Sequence, residues 1–132
     1  MPAISNYHCS RCDFALPSGW GSYMYVIDDL GNRIVCPHPG EGFIVACVLG
    51  PDASRDLVKE RTGHNSHCVC RACLCQFGAD LICRHGDDRG RDPRVCPQCG
   101  SEDVRTVEEL VGRRCPKCKV GRIVSEWTGT VA

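Results

Sequence analysis

The chain has 132 residues, 13 of them cysteine, and 16 basic side chains balance 16 acidic ones. Large apolar side chains are scarce beside that cysteine content. This excludes a single sizeable hydrophobic core and implies small units stapled by cross-links or metal.

No apolar run approaches the roughly 20 residues of a membrane helix; the longest, FIVACVLG at 43–50, is far shorter. The start, MPAISNYHC, has neither the basic residues nor the apolar stretch of a secretory signal. The expectation is therefore a cytoplasmic protein without membrane contact. In a reducing compartment clustered thiols serve as metal ligands more often than as disulfides, and an odd count fits a fully paired framework poorly.

Spacing sharpens that expectation. Cys-x-x-Cys occurs four times, at Cys9 and Cys12, Cys70 and Cys73, Cys96 and Cys99, and Cys115 and Cys118. Two cysteines separated by two residues in a tight turn can both face one tetrahedral ion, so each pair is half a site. Pro97 with Gly100, and Pro116 with Gly121, supply the fixed and the permissive backbone torsions such turns use.

Taken in chain order, residues 1–50 form a first unit. SYMYVID and RIVC flank the turn residues DLGN at 29–32 and predict a β-hairpin, packed by Trp20, Tyr23 and Tyr25. The hairpin is expected to bring Cys36 and His38 to Cys9 and Cys12 as one site. A strand is expected at 43–49, with Cys47 buried in it as a small apolar side chain.

Residues 51–66 read as a linker carrying one short helix from about 53 to 62, capped by Asp52 or Ser54 and ended by Gly63. The helix is expected to serve as a spacer rather than as a partner-binding element.

Residues 67–132 form a cysteine-rich region with one or two further sites. HCVCRACLC at 67–75 holds four cysteines, and Cys83 with His85 repeats the ending of Cys36 and His38. The preferred grouping puts Cys96, Cys99, Cys115 and Cys118 in one site and Cys70, Cys73, Cys83 and His85 in another. The alternative joins Cys70 and Cys73 to Cys96 and Cys99 and leaves Cys115 and Cys118 to recruit Cys68, Cys75, Cys83 or a histidine. Cys68 and Cys75 are candidate alternate ligands. DVRTVEELVGRR, with its apolar residues at 104, 107, 110 and 111, fits either a hairpin or a helical turn.

CPQCG at 96–100 and CPKCKVG at 115–121 resemble the rubredoxin-type knuckles of zinc-ribbon families, and YHCSRC at 7–12 resembles a further first knuckle. The resemblance covers most of the chain in separate pieces. It implies a small metal-stabilised β-rich fold of tandem zinc ribbons, short β-hairpins joined by one connecting helix. Two or three Zn2+ ions per chain are expected, three being preferred. On function the resemblance says little, because one fold hosts many activities.

Electrostatics bear on partners. Residues 110–122 carry Arg113, Arg114, Lys117, Lys119 and Arg122 without an acidic residue, whereas residues 1–50 carry two basic and four acidic side chains. Such a face can meet phosphates, or it can simply neutralise thiolates. Three metallated sites would bring the nominal zero charge to about −4, which disfavours general nucleic-acid affinity and confines any contact to a local face.

Neither HExxH nor the deaminase pairing of HxE with PCxxC is present, and no small-molecule substrate is expected. The expected function is a non-enzymatic binding module, an accessory or adaptor factor that contacts a protein complex or a nucleic acid. The alternatives are a thiol or zinc redox sensor using Cys68 and Cys75, and rubredoxin-like electron transfer.

Overall fold

The computed structural model describes residues 3–19, 22–81 and 90–130. Its strands are β1 (Ala3–Cys9), β2 (Ala15–Gly19), β3 (Ser22–Ile27), β4 (Arg33–Cys36), β5 (Thr62–Cys70), β6 (Gln76–Ala79), β7 (Val104–Thr106) and β8 (Ile123–Thr130). The helices are α1 (Glu41–Leu49), α2 (Arg55–Arg61) and α3 (Val107–Leu110). The protein is thus β-rich, with two antiparallel sheets.

One sheet runs β2-β1-β8, so a strand from the start of the chain pairs with one from its end. The other runs β4-β3-β5-β6, with β7 added to β5. The divisions expected near residues 50 and 67 are crossed twice, by β1 on β8 and by β3 on β5.

The β3–β4 hairpin forms where alternating residues and DLGN predict it. Asp28 Oδ1 accepts from the amides of Leu30 and Asn32, at 2.9 and 2.8 Å, and Gly31 takes a positive φ of 84° to complete the reversal. Met24 of β3 faces Cys36 of β4 on one side and His64 of β5 on the other.

Residues 43–49, expected as a strand, are instead helical in α1. Alternation would have buried 43, 45, 47 and 49. The residues that pack are Ile44, Val45, Val48 and Leu49, the spacing of a helix face, and they meet Val26 and Cys36 on the hairpin. Phe43 and Cys47 are left on the exposed side, so Cys47 is not the buried side chain expected of it.

Helix α2 lies within the expected 53–62 segment. Ser54 is its cap, its Oγ accepting from the Leu57 amide at 3.1 Å. Segment 104–111 resolves into both elements weighed for it, the strand β7 and then α3, which opens with a capping box between Thr106 and Glu109.

The core is divided. One cluster gathers Phe14, Leu16, Val69, Val107, Leu110 and Ile123 around Cys9 and Cys115. A second places Ala79, Leu81 and Val104 around Cys70 and Cys96, and the third is the hairpin with α1. Two of the three small cores therefore contain cysteines as part of their packing.

Candidate metal centres

Among the described residues two groups of four cysteines converge. Cys9, Cys12, Cys115 and Cys118 form one, and Cys70, Cys73, Cys96 and Cys99 form the other; within each group the sulfurs lie within 4.8 Å of one another. Across the first, Cys9 Sγ is 3.6 Å from Cys118 Sγ and Cys12 Sγ is 3.7 Å from Cys115 Sγ. Across the second, both Cys70–Cys99 and Cys73–Cys96 are 3.6 Å apart. A tetrahedral ion with sulfur ligands at about 2.3 Å separates its sulfurs by about 3.8 Å, whereas a disulfide would need about 2.05 Å. The spacing fits a four-thiolate metal site.

The four knuckles share one backbone construction. The amide of the first cysteine bonds forward to a carbonyl beyond the knuckle, Cys9 to Phe14, Cys70 to Cys75, Cys96 to Ser101 and Cys115 to Gly121, at 2.8–2.9 Å. In three of them the residue after the second cysteine is left-handed: Leu74 at φ 66°, Gly100 at 76° and Lys119 at 62°. Two of those positions hold side chains that normally avoid that region, so the knuckle imposes it. Backbone amides turned inward then reach the sulfurs. Cys9 Sγ accepts from Arg11 and Cys12, Cys96 Sγ from Gln98 and Cys99, and Cys115 Sγ from Lys117, all at 3.3–3.5 Å.

Both groups are also placed alike in their sheets. A strand ends in the first knuckle, β1 at Cys9 and β5 at Cys70, and turns back as β2 or β6. The strand following the second knuckle pairs with the first strand's end: Cys9 faces Ile123 of β8, and Cys70 faces Val104 of β7. The second unit is threaded between the two halves of the first, so the outer knuckles join residues near opposite ends of the sequence.

The thiol chemistry calls for a cation. The amides of Gly121 and Val120 bring Cys118 down to about 6, while at Cys12 the lowering from the Phe14 amide is outweighed by burial and neighbouring thiols, which push it up to about 12. In the other group Cys96 reaches about 6 against its burial, through the amides of Cys99 and Gln98. Cys73, against the lowering from the Cys75 amide, is pushed up to about 12 by burial and the surrounding sulfurs. Such groups share protons when empty, and a divalent ion replaces those protons.

Close packing limits what surrounds the first site. A Cβ at Gly121 would lie 2.6 Å from Cys9 Sγ and 3.0 Å from Arg11 Cβ, so only glycine lets this strand pass the sulfur.

The grouping corrects the sequence reading in two places. Cys36 and His38 do not join Cys9 and Cys12: Cys36 is buried with Val26 and Val45, and His38 Nδ1 contacts the Glu41 carboxylate at 2.9 Å. The local hairpin was a nearer source of ligands in sequence, but pairing of β1 with β8 brings Cys115 and Cys118 instead. Likewise Cys96 and Cys99 do not join Cys115 and Cys118; they meet Cys70 and Cys73, the pairing weighed second. Cys83 and His85 lie outside the described residues.

Cys68 and Cys75 belong to neither group. Cys68 is fully buried on β5, donates to the Ser66 carbonyl at 3.4 Å, and is pushed up to about 11, chiefly by burial. Cys75 packs against the second core, and burial followed by the nearby Cys96 raises its thiol. Of the basic face, Lys117 pairs with Asp13 at 2.6 Å, while Arg113, Arg114 and Arg122 line an open groove and Lys119 adjoins it. Arg71 and Arg105 complete that groove, and sequence inspection missed them because β5–β7 pairing alone brings them there.

Comparison of the chain with protein-family models, with curated proteins and with solved structures returned no match. The resemblance to zinc-ribbon families therefore rests on the knuckle residues, and the two four-cysteine groups are compatible with it.

Proposed function

We propose that the chain is a structural zinc-binding module of the zinc-ribbon type, an accessory or adaptor factor whose metals fix its shape and whose activity is contact with a macromolecule. The observation that carries this reading is the pair of closed four-thiolate groups. Each offers an ion four protein ligands, the composition of structural rather than catalytic zinc, which keeps a position for water. The contact face is assigned to Arg113, Arg114 and Lys119, exposed beside the first site and without ion pairs among the described residues.

A redox sensor based on Cys68 and Cys75 is less well supported. Cys68 is sealed from solvent and held as the unreactive thiol, and the β5–β6 ladder sets Cys68 opposite Phe77 rather than Cys75.

Elemental analysis of the purified chain tests the reading. Two zinc ions held by these eight thiols are expected, released together with thiol reactivity by a chelator. Iron with a red colour would instead favour electron transfer, and absence of metal would overturn the proposal.

A further inference from the structure

The two knuckle units meet at an open groove of about 640 Å³. Arg71 and Arg105 enter it from the inner unit, and Arg113, Arg114 and Arg122 from the outer one, against a single carboxylate, Glu109. That carboxylate is already engaged by Arg94 at 2.8 Å. Arg71 is held by Asp103, at 2.7 Å from Nη2 and 2.8 Å from Nε, and Arg122 donates to the Gly112 carbonyl at 3.0 Å. These contacts fix the two guanidinium stems in place. Arg113 and Arg114 have no side-chain partner among the described residues, and both are exposed. The apolar residue in the lining, Leu110, is almost fully buried, so the groove presents little hydrophobic surface to a protein side chain.

We infer that this groove binds the phosphate backbone of a nucleic acid, with Arg113 and Arg114 as the principal phosphate contacts and Arg71 and Arg105 extending the track onto the second unit. The inference rests on the binding-module reading and names its partner. Guanidinium forks match phosphate oxygens in pairs, and all five cations in the groove are arginine rather than lysine. A row of them contributed by two units suits a ligand with repeated, closely spaced charges, not a lone anion. Two four-thiolate sites leave the chain negative elsewhere once metallated, so attraction is confined to this groove. The contacts reach phosphates and not base edges, and binding is therefore expected to be insensitive to sequence.

The test is fluorescence anisotropy of the zinc-loaded full chain with a fluorescein-labelled thymidine 20-mer, titrated across salt concentrations. Expected is saturable binding that weakens steeply with salt. Arg113→Gln with Arg114→Gln should weaken it at least tenfold and flatten the salt slope by about 2, roughly one per lost phosphate contact. Arg71→Gln should weaken it several-fold, whereas Lys59→Gln, on α2, should change nothing. Zinc content is measured for every variant. Absence of oligonucleotide binding by a chain carrying its zinc, or binding indifferent to the arginine substitutions, overturns this inference and leaves the zinc module standing. Stronger competition by poly-glutamate than by unlabelled oligonucleotide also overturns it, in favour of an acidic protein partner. A chain without zinc overturns the underlying reading itself.

Discussion

Cys9 and Cys118 lie 109 positions apart in the chain, yet their sulfurs are 3.6 Å apart. The contact closes the molecule on itself, because β1 ends at Cys9 and β8 begins five residues after Cys118. The outer metal group therefore acts as a clasp on the β1–β8 pairing, whereas the inner one fastens β5 to β7.

That division predicts different consequences for removing one ligand from each site. Cys118→Ser should destabilise the chain by about 3–5 kcal/mol, since metal binding at such sites is itself folding free energy. Amide exchange should accelerate first along β8 and β1, with β3–β5 protection retained. Cys99→Ser should do the reverse, loosening β7 and β6. Hydrogen exchange with mass readout distinguishes the two, and identical exchange patterns in both variants would refute independent clasps.

Gly121→Ala offers a subtler probe of the first site. The added Cβ would press on Cys9 Sγ at 2.6 Å, and the Arg11 backbone at 3.1 Å blocks a sideways escape. The expected outcome is a weakened outer site, with the second of two cobalt-substitution steps shifted to higher metal concentration and stability lowered by about 2 kcal/mol. Gly100→Ala, at a positive φ of 76° but with open space around it, should cost only about 1 kcal/mol through backbone strain and leave cobalt binding to the outer site unaltered.

Much of this was legible from residue type and spacing. Repeated Cys-x-x-Cys announced metal knuckles, alternation announced the β3–β4 hairpin, and Ser54 announced α2. What escaped was long-range. Which knuckle joins which depends on the pairing of β1 with β8, and no local pattern in Ala3–Cys9 or Ile123–Thr130 specifies a partner 100 residues away. Cys36 and His38 looked like ligands because they stood near in sequence and were of the right chemical type. Similarly, the β-branched residues of α1 argued for a strand, and only packing of Ile44, Val45, Val48 and Leu49 on the hairpin decides for a helix.

A third prediction concerns the inner face of β3. Tyr25 is fully buried and donates to Asp80 Oδ2 at 2.5 Å, while Arg91 donates to the same phenolic oxygen at 3.0 Å. Arg33 lies over the ring at 4.6 Å. Tyr25→Phe removes the donor to a buried carboxylate and should cost about 2–3 kcal/mol. Burial first, and then the Asp80 bond, raise the phenol above its usual 10.0. A raised folded value means the tyrosine's contribution is present below pH 10 and is lost as the pH climbs through the raised value. Denaturation of the two proteins should therefore converge at high alkalinity, and a gap that persisted there would rule out phenol ionisation as the cause.

Asp92 makes the opposite pH prediction. Its carboxylate accepts from both Nη atoms of Arg33 at 2.8 Å and from the Asp80 amide at 2.8 Å, tying the segment after residue 90 to β4 and to the end of β6. The Arg33 guanidinium first, then the Asp80 amide against the cost of burial, hold this carboxyl below its usual 3.8. A depressed folded value contributes stability that is complete above the ordinary carboxylate range and is lost as the pH falls through the depressed value. The group is about a quarter exposed, so the contribution is discounted for solvent screening to about 1 kcal/mol. Asp92→Asn should accordingly be less stable than the parent by that amount at neutral pH, with the difference shrinking below pH 3.8. Because acid also protonates the metal-site thiols in both proteins, the readout is the difference between parent and variant in urea midpoint at each pH. A difference that stayed constant from neutral pH to the acid limit would show that the Arg33–Asp92 pair contributes through shape alone and not through charge.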